Sequence, residues 1–403
     1  LNSMDAKGNP VIFTNGDNDT FPLWYNQETE GVRTDARVCN LSYLQTDWYI
    51  DQMRRPAYDS PSLPISWTRL QYVTGTREGI PVQPDALQQV IDYYKDSPED
   101  LKQMLGDNPY ELKNIIRHWV LNDNPDLQIF PTDSIVVTVD KEAVKRSGMM
   151  IAADSIPDVM HISLKGKRAI YKSEMMMLEM ISQANWERPL YMSTTVGPDN
   201  YGHLGDNFVQ EGLACRITPF DTKQSGRTID SERMYNNMMN KFKYGGLKEN
   251  PDIYLDETVI RMCYTHRRLF NQLAQQLLKE GQKDKALKVL QRAEEEIPGS
   301  IVPHEAFYGH SLELADAWLA LGHKAEAEKL LNAVGQNAKE YIEWYLSLNT
   351  QRLLQSSREC LMQIYILNDI AKTWEPIDKK KAETYRMEVN NYASRCHQRG
   401  MSL

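Results

Sequence analysis

Residues 11–25 read V-I-F-T-N-G-D-N-D-T-F-P-L-W-Y, and this stretch constrains the fold of everything after it. Val11, Ile12 and Phe13 are β-branched or aromatic and suit a short strand in a pleated core. Asn15 to Thr20, all small or acidic, make a loop in which Gly16 allows a sharp turn. Pro22 has no amide proton and a fixed φ, so it suits the first turn of a helix over Leu23–Gly31, with Asp19 or Thr20 as N-cap. Strand, acidic loop and helix in that order predict an open α/β sheet, whose ligands lie beyond the carboxyl ends of the strands. Asn15, Asp17, Asn18, Asp19 and Thr20 are therefore candidate ligand-binding residues, with Asp17 and Asp19 as the carboxylates for a divalent cation or for hydroxyl groups. The same residues also make an acidic turn that caps its own helix.

The pattern repeats. Arg37–Leu41 reads as a second strand and Thr46–Arg55 as a helix, giving strand–helix–strand–helix and the start of a Rossmann-like parallel layered sheet. Asn40, Ser42 and Asp47 then fall beside the first loop. Five prolines between Pro56 and Pro84 break the chain into short pieces, and residues 56–130 read as an inserted cap. Within it, Asp85–Asp96 and Pro109–Leu121 look helical, with Ile91, Ile115, Ile116 and Trp119 inward. Ile135–Val139 and Met160–Leu164 read as strands. Lys172–Gln183 is a helix whose Met175, Met176, Met177 and Met180 suit core packing better than an adaptable surface. Pro189–Thr194 is a third parallel strand. The loop Val196–Asn207 after it is again rich in Gly and Asp, so Asp199, His203 and Asp206 are candidates to join Asp17 and Asp19 in one crevice. Such a crevice suits a divalent ion or sugar hydroxyls; the alternative is a long surface loop. Leu213–Thr218 closes a first domain, residues 1–225, and residues 226–255 form a connector.

From Asp256 to the end the periodicity is purely helical. Phe270, Leu273, Ala274 and Leu277 share a face, Gly281 punctuates, and Ala286, Leu290 and Ala293 follow before Pro298. Leu314, Ala315, Trp318, Gly322, Ala327 and Leu331 repeat the pattern. These spacings match tetratricopeptide hairpins, although the two glycines lie 41 residues apart, longer than the usual ~34, with the excess in Gly299–Glu305. Further helices fall at Trp344–Tyr345, Leu353–Leu367 and Lys380–Cys396. Stacked hairpins leave a groove that either receives a protein or acts as a rigid spacer.

A net charge of −9 argues against nucleic acid or an anionic membrane surface. No stretch has the ~20 apolar residues of a membrane span. The first residues, Leu1 to Asp5, have no basic or apolar region of a signal peptide, and the nearness of the first strand suggests part of a longer chain. Cys39, Cys215, Cys263, Cys360 and Cys396 contain no C-x-x-C, which argues against structural zinc and shows no disulfide framework. Cys39 and Cys215 lie in strand-like runs and read as buried thiols. G-x-G-x-x-G, G-x-x-x-x-G-K-[ST], G-x-S-x-G and H-E-x-x-H are all missing.

The motifs N-G-D-N-D-T-F-P-L-W-Y (15–25), N-L-S-Y-L-Q-T-D-W-Y-I (40–50), N-W-E-R-P-L-Y (185–191), E-G-L-A-C-R-I-T-P (211–219) and M-C-Y-T-H-R-R-L-F (262–270) carry a resemblance over nearly the whole chain. It resembles the part after the membrane spans in large bacterial membrane proteins related to protein O-mannosyltransferases; Cys215 stands where an aromatic residue is expected. The resemblance implies a periplasmic tail of a lipid-linked-sugar glycosyltransferase, tethered to its own membrane-embedded domain. In such enzymes the catalytic acid lies in the membrane domain, so the resemblance carries no catalytic residue over to this chain. Three expectations follow. The first is an accessory domain that positions an acceptor or partner protein. The others are a metal-dependent enzyme on a sugar or phosphate, using Asp17, Asp19 and Asp206, and a structural scaffold.

Overall fold

The structure is a computed structural model describing residues 1–150 and 155–401, in two compact units, Leu1–Lys241 and Phe242–Leu403. The first unit carries strands β1 (Val11–Thr14), β2 (Arg37–Asn40), β3 (Gly79–Pro81), β4 (Ser134–Thr138), β5 (Val159–Ser163), β6 (Ala169–Tyr171), β7 (Leu190–Ser193), β8 (Phe208–Gln210) and β9 (Ala214–Ile217). Its main sheet has the order β2-β1-β7-β9-β8. β1 pairs in parallel with β2 and β7, as the sequence predicts, but β9 runs antiparallel to β7 and β8 antiparallel to β9. The sheet is therefore mixed, and the wholly parallel Rossmann-like expectation is corrected. Alternation along β1 fills both faces. Val11 and Phe13 enter the large core, while Ile12 joins Met4, Val38 and Tyr191 on the opposite side.

The large core has no room for a solvated face on the methionine helix. Met175, Met176, Met177 and Met180 are all buried, so Lys172–Gln183 is enclosed on several sides rather than amphipathic. Its one buried carboxylate, Glu179, accepts from the backbone N and Oγ of Ser66 at 2.9 and 2.6 Å. β4 and β5 form an antiparallel pair apart from the main sheet, and β3 pairs antiparallel with β6. In the 56–130 region the α-helices are Arg69–Tyr72, Ala86–Tyr93, Pro98–Leu105 and Leu112–Ile115, the last running on as a π turn to Val120. Ile115, Ile116 and Trp119 are buried, and Ile91 is half-buried. Cys39 is buried and Cys215 half-buried.

The start of the first helix and one strand of the main sheet differ from expectation. The first helix, α1, is Asp17–Glu30, with Gly16 at its N-cap at φ 76°, and Pro22 lies inside it. The acidic residues are thus the first helical turn rather than a loop before it. Carboxylates are favourable there because they face the positive end of the helix dipole. Pro22 sits on the exposed side and costs one backbone hydrogen bond. β8 was missed because Phe208–Gln210 is too short to show a period.

The second unit is helical throughout its ordered elements: Glu257–Lys279, Lys283–Glu296, Ser311–Ala320, Lys324–Ser347, Thr350–Gln355, Ser357–Trp374 and Lys379–Gln398. Trp344 and Tyr345 belong to the long fourth helix, and Ser356 breaks the expected Leu353–Leu367 helix in two. The first two pairs close on Gly281 and Gly322, both left-handed, and bury Ala274, Ala286, Ala293, Ala315 and Ala327 where helices meet. This arrangement is compatible with helical repeats. The long connection after the first pair is held by buried Arg267, whose guanidinium donates to the carbonyls of Ile297, Val302 and Pro303 at 3.0, 2.9 and 3.1 Å.

His266, on the same helix, lies edge-on to Phe242 and Tyr244, with ring centroids 6.1 and 5.5 Å away, and its Nδ1 is buried without a partner. Burial lowers it to about 4 from the usual 6.5. The folded state therefore prefers the neutral ring. Its contribution is fully present above pH 6.5 and is lost as the pH falls towards 4, because the unfolded chain takes up the proton first. In urea denaturation of the helical unit's transition, His266→Phe should flatten this decline, removing about 1–3 kcal/mol of pH dependence across that window. A profile of unchanged slope contradicts the assignment.

Candidate functional site

The site is built at the carboxyl edge of the parallel strands. The chain leaves β1 towards β2 on one side, and β7 lies on β1's other side, so the strand order reverses here, the place at which open α/β sheets hold their ligands. Gly16 turns the chain from β1 into α1. Buried Thr14, Thr20 and Asn40 then join the strands to the helix. Thr14 and Thr20 hydroxyls lie 2.8 Å apart, Thr20 Oγ1 donates to the Gly16 carbonyl at 2.8 Å, and Asn40 Nδ2 donates to Thr20 Oγ1 at 2.8 Å. Asn40 Oδ1 accepts from the Tyr43 amide at 3.1 Å, and the Asn40 amide donates to the buried Tyr49 hydroxyl at 2.9 Å.

Above this buried layer lie the more exposed groups. Asp19 Oδ2 accepts from the Asn15 amide at 3.1 Å, while Oδ1 accepts from Ser193 Oγ at 3.0 Å and from Thr195 Oγ1. Asn15 Oδ1 accepts from Ser42 Oγ at 2.6 Å. Asp17 is exposed and accepts from the Tyr43 hydroxyl at 3.1 Å; this hydrogen bond to a carboxylate raises the Tyr43 phenol above its ordinary value. Asn18 is exposed at the same helix end. An aromatic row runs alongside. Phe21 stacks on Trp24 at 5.5 Å, Trp24 on Tyr43 at 6.3 Å, and Tyr43 meets Trp48 at 5.9 Å. Phe21 and Trp48 are 45% and 50% exposed, enough to offer ring faces to a ligand.

Sequence reasoning placed Asn15, Asp17, Asn18, Asp19, Thr20 and Asn40 here, and the structure brings them together. It separates the other four. Asp47 starts α2 (Asp47–Met53) and turns to the Thr74 amide at 3.3 Å and Arg69 at 3.7 Å. The Thr74 amide, first among its partners, holds the Asp47 carboxyl below its usual range. Asp199 is exposed in the turn Pro198–Asn200. His203 and Asp206 line a different cavity of about 720 Å³, beside His161, Phe220 and Arg227, and Asp206 pairs with Lys223 at 2.6 Å. The reason is topological. After Thr195 the chain runs into β8, and β9 lies between β8 and β7, so these residues leave the first crevice. Tyr43, Trp48, Ser193 and Thr195 were missed; the hydroxyls at the last residue of a parallel strand and two residues beyond it were the available signal.

The carboxylates do not form a claw. Two residues apart on α1, Asp17 and Asp19 point to different sides of the helix, one to Tyr43 and one to Ser193 and Thr195. Among the described residues no group of three or more His, Cys, Asp or Glu is placed to hold a metal ion. The donor set thus does not fit the divalent cation expected at Asp17 and Asp19. Two carboxylates in the first turn also occupy the positive helix end, which disfavours a phosphate there. What remains is a preformed set of amide, hydroxyl and two separated carboxylate groups beside exposed rings, suited to hydroxyl-bearing ligands. Because Asn40 is buried and joins strand, helix and turn, Asn40→Ala should cost about 1–3 kcal/mol in chemical denaturation, while exposed Asp17→Ala should change stability by less than about 0.5 kcal/mol. Equal effects would show that the buried layer does not hold the site.

A family model described as TMEM260-associated domain 2 matches residues 1–237. No curated protein and no solved structure matches the chain. The match covers the whole main sheet, the crevice and the inserted region, more than half of the 403 residues. The chain belongs to the TMEM260-associated domain 2 family.

Proposed function

We propose that this chain is the accessory, non-catalytic portion of a glycosyltransferase-like membrane protein related to O-mannosyltransferases, working on the extracytoplasmic side. In this reading the first unit holds a sugar or another hydroxyl-rich group of the acceptor or product. The observation that carries the reading is the crevice: Asp17, Asn18 and Asn15 at its rim, Asp19 tied to Ser193 and Thr195, and the ring row from Phe21 to Trp48. Sugar rings lay apolar faces on aromatic side chains and give hydroxyls to carboxylates and amides, and both elements are adjacent here. Family membership supports the membrane-protein context. No helix among the described residues is long and apolar enough to cross a membrane, so in this reading the anchor belongs to another part of the protein.

The helical unit is proposed to meet a protein, either the acceptor or the membrane-embedded domain of the same polypeptide. Tyr341 and Trp344 support this: they stand one turn apart on Lys324–Ser347 and are 47% and 54% exposed, the kind of side chain enriched at interfaces. The purely structural scaffold has no observation of its own in its favour. The metal-dependent enzyme is disfavoured by the splayed carboxylates.

The test is calorimetric titration of the chain with manno-, gluco- and N-acetylglucosaminyl oligosaccharides, with and without EDTA. At least one sugar should bind, unaffected by EDTA. Trp48→Ala and Asp17→Ala, both at exposed positions, should each weaken it by about tenfold or more, equivalent to ~1.4 kcal/mol. No binding by any sugar, or binding indifferent to both substitutions, would overturn the proposal.

A further inference from the structure

The last two helices of the chain, Ser357–Trp374 and Lys379–Gln398, form a hairpin with a tight turn at one end and no covalent tie at the other. Cys360 lies in the first turn of the first helix and Cys396 in the last turn of the second. Both are fully buried, and their sulfurs face each other at 3.9 Å across the open end. A disulfide needs about 2.05 Å. The remaining ~2 Å is within reach of small side-chain rotations on helices already packed side by side. Cys263, the other cysteine of this unit, is on Glu257–Lys279 and outside the hairpin.

We propose that Cys360 and Cys396 are the two halves of a disulfide that closes the open end of this terminal hairpin when the chain folds in an oxidising compartment. The step is thiol–disulfide exchange with an external disulfide of the glutathione or oxidoreductase class. One thiolate attacks that disulfide and expels one of its thiols; the second cysteine then attacks the mixed disulfide and expels the other. The net change is two protein thiols to one S–S bond, with two electrons and two protons passed to the external disulfide, which leaves as two thiols. Burial, with Cys396 beside it, pushes the Cys360 thiol up to about 12, so little thiolate exists once the hairpin is closed. The exchange therefore belongs to folding, or to moments when the terminal helix opens, as chain ends do most readily.

The bond would join residues 36 positions apart and remove their loop entropy from the unfolded chain. It would also stop the final helix from fraying at the end remote from its turn. Sequence reading saw no framework here because 36 residues of separation carries no spacing signature; only the antiparallel packing of the two helices makes the pair. The inference stands on this geometry and does not depend on the sugar-binding reading of the other unit.

The chain is reduced in guanidinium, refolded in a glutathione redox buffer, quenched with N-ethylmaleimide under denaturing conditions and weighed. Wild type has five cysteines and should carry three adducts, with peptides containing Cys360 and Cys396 linked on mapping. Cys360→Ser and Cys396→Ala should each carry four, because the remaining partner is left free. The oxidised chain should melt higher than the reduced one by roughly 5 °C. Five adducts on folded wild type, or a link between any other pair, would overturn the proposal. An oxidised chain that melts no higher than the reduced one would overturn its role as a tie.

Discussion

Three side chains that never reach solvent set up the α/β unit: Thr14 at the end of β1, Thr20 in the first turn of α1, and Asn40 at the end of β2. Their 2.8 Å contacts connect strand, helix and neighbouring strand at the point where the chain must turn sharply. Buried polar groups are costly unless paired, so this cluster tolerates few other arrangements. Once Thr20 is held, Asp17 and Asp19 are fixed on opposite sides of the helix. Once Asn40 is held, Tyr43 is capped at its amide and its ring stands in the aromatic row. The rim of the crevice is thus a consequence of the buried layer beneath it.

The parallel trio of strands was legible in the sequence because each holds a short apolar or β-branched run followed by a polar residue. Val11–Phe13, Arg37–Leu41 and Pro189–Thr194 all have that form, and all three pair as expected. The antiparallel half was not legible. Direction is set by which edge the returning chain can reach, and Ala214–Ile217 looks the same in either orientation. The same ignorance moved Asp199, His203 and Asp206 into the wrong place. Two Gly- and Asp-rich loops after parallel strands look equivalent along the chain, yet insertion of β9 between β7 and β8 carries the second away. Asp47 failed for a local reason: an acid in the first turn of its helix with a nearby backbone amide and an arginine turns to those partners.

The site's missed half was hydroxyl and aromatic. Ser193 and Thr195 are ordinary residues until Asp19 is brought to them, and nothing marks Trp48 until its exposure is known. In the helical unit the small residues at the helix contacts were readable from period alone. Arg267 was not. A buried guanidinium bonding three carbonyls of one connection is intelligible only when that connection folds back over its helix. The two units therefore differ in what organises them: polar bonds at a strand edge in one, small-residue helix packing in the other.

The most direct check on the crevice is a map of backbone amide shifts during titration with a mannose-terminated oligosaccharide. Perturbations should concentrate in residues 15–20, 42–48 and 193–197, which the structure brings to one strand edge, and residues 242–403 should stay unperturbed. Shifts confined to the cavity near His203, scattered over both units, or missing at saturating sugar would contradict a binding site at the β1–β7 switch point.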